Sequence, residues 1–155
     1  MIRKATFDDI ELIEDTYNEH FKHEMEHGAF TVFKKSIYPT KRDAEKAIDN
    51  GTLYVYEEND GIAGSIIVDQ VQPAEYAKIT WEQTFANDEV MVIHLLMVRP
   101  SKAGQGIATS SMNVGNAIEH SGHLFLETML KHPSRSTQDR HIQETSLQYQ
   151  NKSSQ

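Results

Sequence analysis

Val90-Met91-Val92-Ile93-His94-Leu95-Leu96-Met97-Val98 runs directly into Arg99-Pro100-Ser101-Lys102-Ala103-Gly104-Gln105-Gly106-Ile107-Ala108, and the fold turns on this join. The first nine residues are too few to cross a bilayer. They are apolar at nearly every position, so both faces of the strand they form must be covered, and such a strand belongs inside a sheet. Pro100 cannot donate to a ladder and ends it. Gly104 and Gly106 lack a Cβ, so a ligand can approach their backbone closely. The unpaired N–H groups of the helical turn opening at Ile107 converge on the same space. Together these features make an anion site, where the helix dipole favours a phosphate by about 0.3–2 kcal/mol before hydrogen bonds are counted.

Two phosphate motifs fit this join poorly. A P-loop needs Lys and a hydroxyl residue after its last glycine, where Ile107 and Ala108 stand. A dinucleotide fingerprint needs a third glycine at Thr109 and its first glycine directly after the strand, but five residues separate Val98 from Gly104. Glu127 alone imitates the ribose-binding acid of that motif.

Outward from the join, the elements follow from periodicity and punctuation. Ile2 to Thr6 reads as a short strand, and Thr6-x-Asp8-Asp9 supplies helix-start chemistry. Ile10, Ile13, Tyr17, Phe21 and Met25 recur at helical spacing, and Gly28 stops the helix. Thr40 caps a second helix running through Ala44, Ala47 and Ile48 to Asn50-Gly51. Leu53 to Glu57 and Ile62 to Val71 are strands joined by the turn Asn59-Asp60-Gly61. After Val98 come a helix over Ile107 to His120 and a last strand over Leu124 to Met129. The order β, α, α, β, β, β, α, β predicts a mixed α/β (α+β) architecture, with one central sheet flanked by helices.

The 155 residues, 38% hydrophobic and 25% charged, suit one ordinary domain. Lys131 to Gln155 holds three apolar residues, Ile142, Leu147 and Tyr149, among five Ser and five Gln. So little apolar surface cannot offset the entropy of ordering the segment. We therefore expect a folded domain over 1–130 and a polar tail over 131–155. The tail is net +2, which leaves 11 basic and 21 acidic groups, net −10, on residues 1–130. A nucleic-acid backbone is thereby disfavoured as a partner. Absence of cysteine removes thiolate catalysis, disulfides and Cys-ligated zinc. The N-terminal residues lack a signal peptide's apolar segment, and no stretch is long and apolar enough for a membrane helix, so the expectation is a cytoplasmic protein without a membrane partner.

Val98-x-Pro100 followed by Ala103-Gly104-Gln105-Gly106-Ile107-Ala108 resembles the acyl-CoA motif of the GNAT acetyltransferase superfamily, (Gln/Arg)-x-x-Gly-x-(Gly/Ala) at the start of a helix. The element order over residues 1 to about 130 is similar to that family's as well. The resemblance implies an N-acetyltransferase using acetyl-CoA as cosubstrate, with a small-molecule or peptide amine as acceptor and no metal. It also leaves room for a homodimer. It implies that the CoA pyrophosphate lies on Lys102, Ala103, Gly104, Gln105, Gly106, Ile107, Ala108 and Thr109, and that the pantetheine arm runs beside Leu96, Met97 and Val98. Two departures stand out. Ala103 occupies the usual Arg or Gln position, with Lys102 and Gln105 near enough to compensate. Residues 131–155 also lack the family's usual last helix and strands, including its acid tyrosine, for which Tyr149 is no counterpart. The alternative is a catalytically impaired CoA-binding remnant of the same fold.

The amine must lose a proton to become nucleophilic, and His94 is the nearest candidate base. If the family layout applies, the acceptor meets His20, Glu24, His27, Tyr38 and Trp81. His23-Glu24-x-x-His27 also fits the His-Glu-x-x-His pattern of zinc metalloproteases. There the second histidine is followed at once by Gly28, a helix stop, and no third ligand stands at the expected spacing.

Overall fold

The computed structural model describes residues 1–72, 74, 90–112 and 124–127. The expected helix beyond Met112, the end of the last strand, the tail from Lys131 and Trp81 all lie outside the described residues. Strand β1 (Ile2–Lys4) and a 3-10 turn (Phe7–Asp9) lead into α1 (Ile10–His27), and α2 (Lys41–Asp49) follows. Then come β2 (Leu53–Glu58), β3 (Gly61–Asp69), β4 (Val90–Val98), a second 3-10 turn (Pro100–Lys102), α3 (Ile107–Met112) and β5 (Leu124–Glu127).

The helices begin and end where their capping chemistry lies. The Thr40 amide donates to Asp43 Oδ2 at 2.8 Å and the Asp43 amide to Thr40 Oγ1 at 3.3 Å, a reciprocal cap on α2. Gly28, at φ +92°, closes α1 by donating its N–H to Glu24 O. Ile10, Ile13, Tyr17 and Phe21 form the buried stripe of α1, as their spacing predicts. Met25 does not join them: it is 78% exposed, and Glu24 is buried instead. At 3.6 residues per turn the inward position after Phe21 falls three residues on, at Glu24. Burial there is tolerable because the Glu24 carboxylate accepts from the amides of Phe30 and Thr31 and from the Thr31 hydroxyl.

The five strands form one sheet in the order β1-β2-β3-β4-β5. The first four pair antiparallel and β4–β5 is parallel. β4 therefore lies inside the sheet, as its two apolar faces require. On one face α1 and α2 pack over Leu53, Val55, Ile67, Leu95 and Met97. On the other are Ile66, Val68, Met91 and Ile93, and α3 starts there with Ile107 above Gly64.

Two features of β4 set up the site. Its ladder with β5 covers Val90 to Ile93 only, so among the described residues the backbone of His94 to Val98 has no partner on that side. The β3–β4 register also shifts: Ile67 opposes Leu95 while Val68 opposes Ile93, which leaves His94 as the extra residue of a β-bulge.

Candidate functional site

The loop leaving β4 is held from three sides. The Arg99 amide donates to Ala63 O at 2.8 Å, and its guanidinium donates through Nε to Ile62 O and through Nη1 to Glu19 Oε2 of α1. The other oxygen of Glu19 accepts the Ser101 amide at 2.9 Å, so one carboxylate clamps both ends of the turn. Burial works against ionisation of Glu19, but the bonds from Ser101 and the pairing with Arg99 outweigh it and hold its carboxyl below the usual range. Lys102 donates to Glu58 and Asp60 beside the β2–β3 turn, at 2.7 and 2.9 Å. Asp60 and Glu58 raise its pKa in turn. The ammonium expected on a phosphate is therefore placed as an anchor of the loop to the hairpin.

Beyond this clamp the loop opens to solvent. Ala103 to Gly106, Ala108 and Thr109 are exposed. Gly104 and Gly106 sit at φ +79° and +76°, a conformation that favours glycine. The first intrahelical bond of α3 runs from the Ser110 amide to Gly106 O at 2.9 Å, and the amides of Ile107, Ala108 and Thr109 precede it. Ile107 itself is 2% exposed, so it can offer a ligand its backbone alone. Met97 is likewise buried, and Leu96 and Val98 are half-buried, which leaves the backbone edge of β4 as what these three residues present.

His94, at the bulge, bonds through Nε2 to Asp69 Oδ1 at 2.7 Å, and both side chains keep about a quarter of their surface exposed. Asp69 Oδ1 also accepts the Val71 amide at 2.7 Å. The charge of Asp69 also acts on Tyr38: burial first, then the charges of Asp43 and Asp69, push its phenol up to about 12.

The remaining acceptor candidates separate. His20 is buried against Phe21, Phe30 and Phe33, with Nε2 3.2 Å from Thr31 Oγ1, and burial lowers its pKa. His27 is exposed, stacks on His23 and bonds through Nδ1 to His23 O at 3.0 Å. Glu24, the base of a hypothetical zinc site, is occupied by the Phe30–Thr31 backbone. Among the described residues no three His, Cys, Asp or Glu gather as a metal site, and no helix is long and apolar enough to cross a membrane.

A Staphylococcus aureus protein assigned as an acetyltransferase is 31% identical, aligned over 82% of this chain and 78% of its own, with a TM-score of 0.63. A GNAT-family acetyltransferase from Streptococcus agalactiae is 20% identical over 94% of this chain and 82% of its own, with a TM-score of 0.73. The chain belongs to the GNAT superfamily. Fold similarity extends to the Neisseria gonorrhoeae N-acetylglutamate synthase, solved with coenzyme A and N-acetyl-glutamate. That protein is 16% identical over 93% of this chain and 27% of its own, with a TM-score of 0.55. No family model matches the sequence, and no curated protein matches it significantly. GNAT membership makes the chain a transferase of the acyl-transfer type.

Three site residues of this GNAT protein escape sequence reasoning. Asp69 ends β3 with no spacing that ties it to His94. Glu19 is 80 residues from its partner Arg99. Gly64 looks like any strand glycine until α3 is placed above it.

Proposed function

We propose that the chain transfers an acetyl group from acetyl-CoA to a primary amine of a small molecule or peptide. The observation that carries this is the β4–α3 junction. Two positive-φ glycines and the first turn of α3 form an open, clamped cradle, directly after a strand whose edge has no ladder partner from His94 to Val98 among the described residues. In a GNAT chain this suits a CoA pyrophosphate on the amides of Gly104 to Thr109, with the pantetheine arm beside Leu96, Met97 and Val98. Acetyl-CoA supplies the activated thioester. A backbone N–H of the Leu95–Met97 stretch is suited to donate to the carbonyl oxygen as charge develops there. The rigidity of the loop supports binding by pre-organisation, since Glu19, Arg99 and Lys102 are already engaged.

Calorimetry with acetyl-CoA tests the cradle. A Cβ at Gly104 or Gly106 meets nothing within 4 Å, so valine there strains the backbone without a clash and the fold should persist. The Gly104→Val/Gly106→Val protein should bind acetyl-CoA at least tenfold more weakly while melting cooperatively. Unchanged affinity in that double variant overturns the cradle. Thiol release across a panel of primary amines tests turnover, and binding without turnover on any amine identifies the impaired remnant.

A further inference from the structure

We infer that Asp69 is a positioning residue that orients His94 as the base of the transfer, an inference that rests on the acetyl-transfer reading above. Strand alternation alone would keep the two apart. Ile67 and Leu95 both face α1 and α2, so in an unbroken ladder Asp69 would share their face while His94 would turn to the other. The extra residue of the bulge is His94 itself, and this is what allows Nε2 to reach Asp69 Oδ1 at 2.7 Å. The carboxylate is fixed in turn, because the same oxygen accepts the Val71 amide.

An ionised carboxylate only accepts, so the neutral imidazole must carry its proton on Nε2 and its lone pair on Nδ1. Among the described residues the β5 ladder reaches Ile93, so the bulge lies at the head of the strand edge proposed for the pantetheine arm. The charge of Asp69 also acts on Tyr38. With its phenol pushed up to about 12 it stays protonated and does not compete as a base. As the nitrogen of a neutral amine bonds to the thioester carbonyl carbon, one N–H proton passes to Nδ1. The C–S bond then breaks with its electron pair going to sulfur, and the proton on Nδ1 passes to the thiolate, giving amide and thiol.

The test compares kcat/KM for wild type, Asp69→Asn, Asp69→Glu and His94→Ala, with acetyl-CoA affinity measured on each by calorimetry. Asp69→Asn should keep its acetyl-CoA affinity within about twofold and lose about tenfold or more in kcat/KM. Asp69→Glu should recover part of the rate, and added imidazole should restore turnover to His94→Ala but not to Asp69→Asn. Wild-type kcat/KM in Asp69→Asn, or an Asp69→Glu protein no faster than Asp69→Asn, overturns the pair's role while leaving acetyl transfer standing. A wild-type protein that binds no acetyl-CoA, or transfers to no amine, overturns the acetyl-transfer reading and this inference with it.

Discussion

Replacing Gly64 with alanine should damage both stability and cofactor binding. A Cβ there would lie 2.7 Å from Met97 O and 3.4 Å from both Val98 Cα and Ile107 Cγ2. The first contact is with backbone: Gly64 and Val98 are ladder partners, so the Met97 carbonyl cannot withdraw without parting β3 from β4. Ile107 is buried and cannot swing into solvent. Overpacking of this kind costs about 1–3 kcal/mol. Alanine also restricts the unfolded chain, which returns about 0.4–1 kcal/mol. The net destabilisation is therefore about 0.6–2 kcal/mol, which at an m-value of about 2 kcal/mol/M lowers the urea midpoint by about 0.3–1 M. Because Ile107 is the first residue of α3, part of the displacement falls on the amides of the cradle. Acetyl-CoA affinity should drop several-fold where the variant is still fully folded. Urea unfolding followed by circular dichroism and calorimetric titration read the two effects separately. An unchanged midpoint with unchanged affinity would refute the claim that Gly64 sets the seat of α3.

Glu19→Gln should loosen the loop, since it removes the charge that holds Arg99 at 2.8 Å and accepts the Ser101 amide at 2.9 Å. We expect a loss of about 1–2 kcal/mol and a several-fold rise in the acetyl-CoA Kd, and wild-type values for both would show that the loop is rigid without the clamp. Acid should destabilise the protein partly through Asp9. The bond from Arg3, against the opposing effect of burial and with help from Thr6, lowers its carboxyl from 3.8 to about 2. The folded state therefore binds this proton less readily than the unfolded chain. The stabilisation is present above about pH 4 and is lost as pH falls toward 2. With Arg3 about a third exposed, its size is on the order of 1–2 kcal/mol. Urea midpoints across this range should fall less steeply for Asp9→Asn than for wild type, and parallel curves would contradict the assignment.

What could be read from the sequence was whatever a single residue or a short repeat encodes. Gly28 and Thr40 mark helix ends because a left-handed conformation and a capping oxygen are local properties. Gly104 and Gly106 do the same for the cradle, and the unbroken apolar run of Val90 to Val98 announces an interior strand by itself. Met25 shows where a local rule runs out: apolar spacing placed it inward, but helical geometry gave that position to Glu24, whose partners Phe30 and Thr31 come from the loop after the helix. The working parts of the site depend on more distant coincidences. Lys102 meets Glu58 and Asp60 only because β3 pairs with β4 and brings the hairpin turn alongside the loop. Asp69 meets His94 only because the register slips by one residue between Ile67 and Val68. A bulge has no composition of its own in this strand, since His94 satisfies either register equally well as a sequence. The same slip falls beside Ile93, the last residue of β4 that pairs with β5 among the described residues, so the feature least visible in the sequence brings the imidazole to the head of that edge.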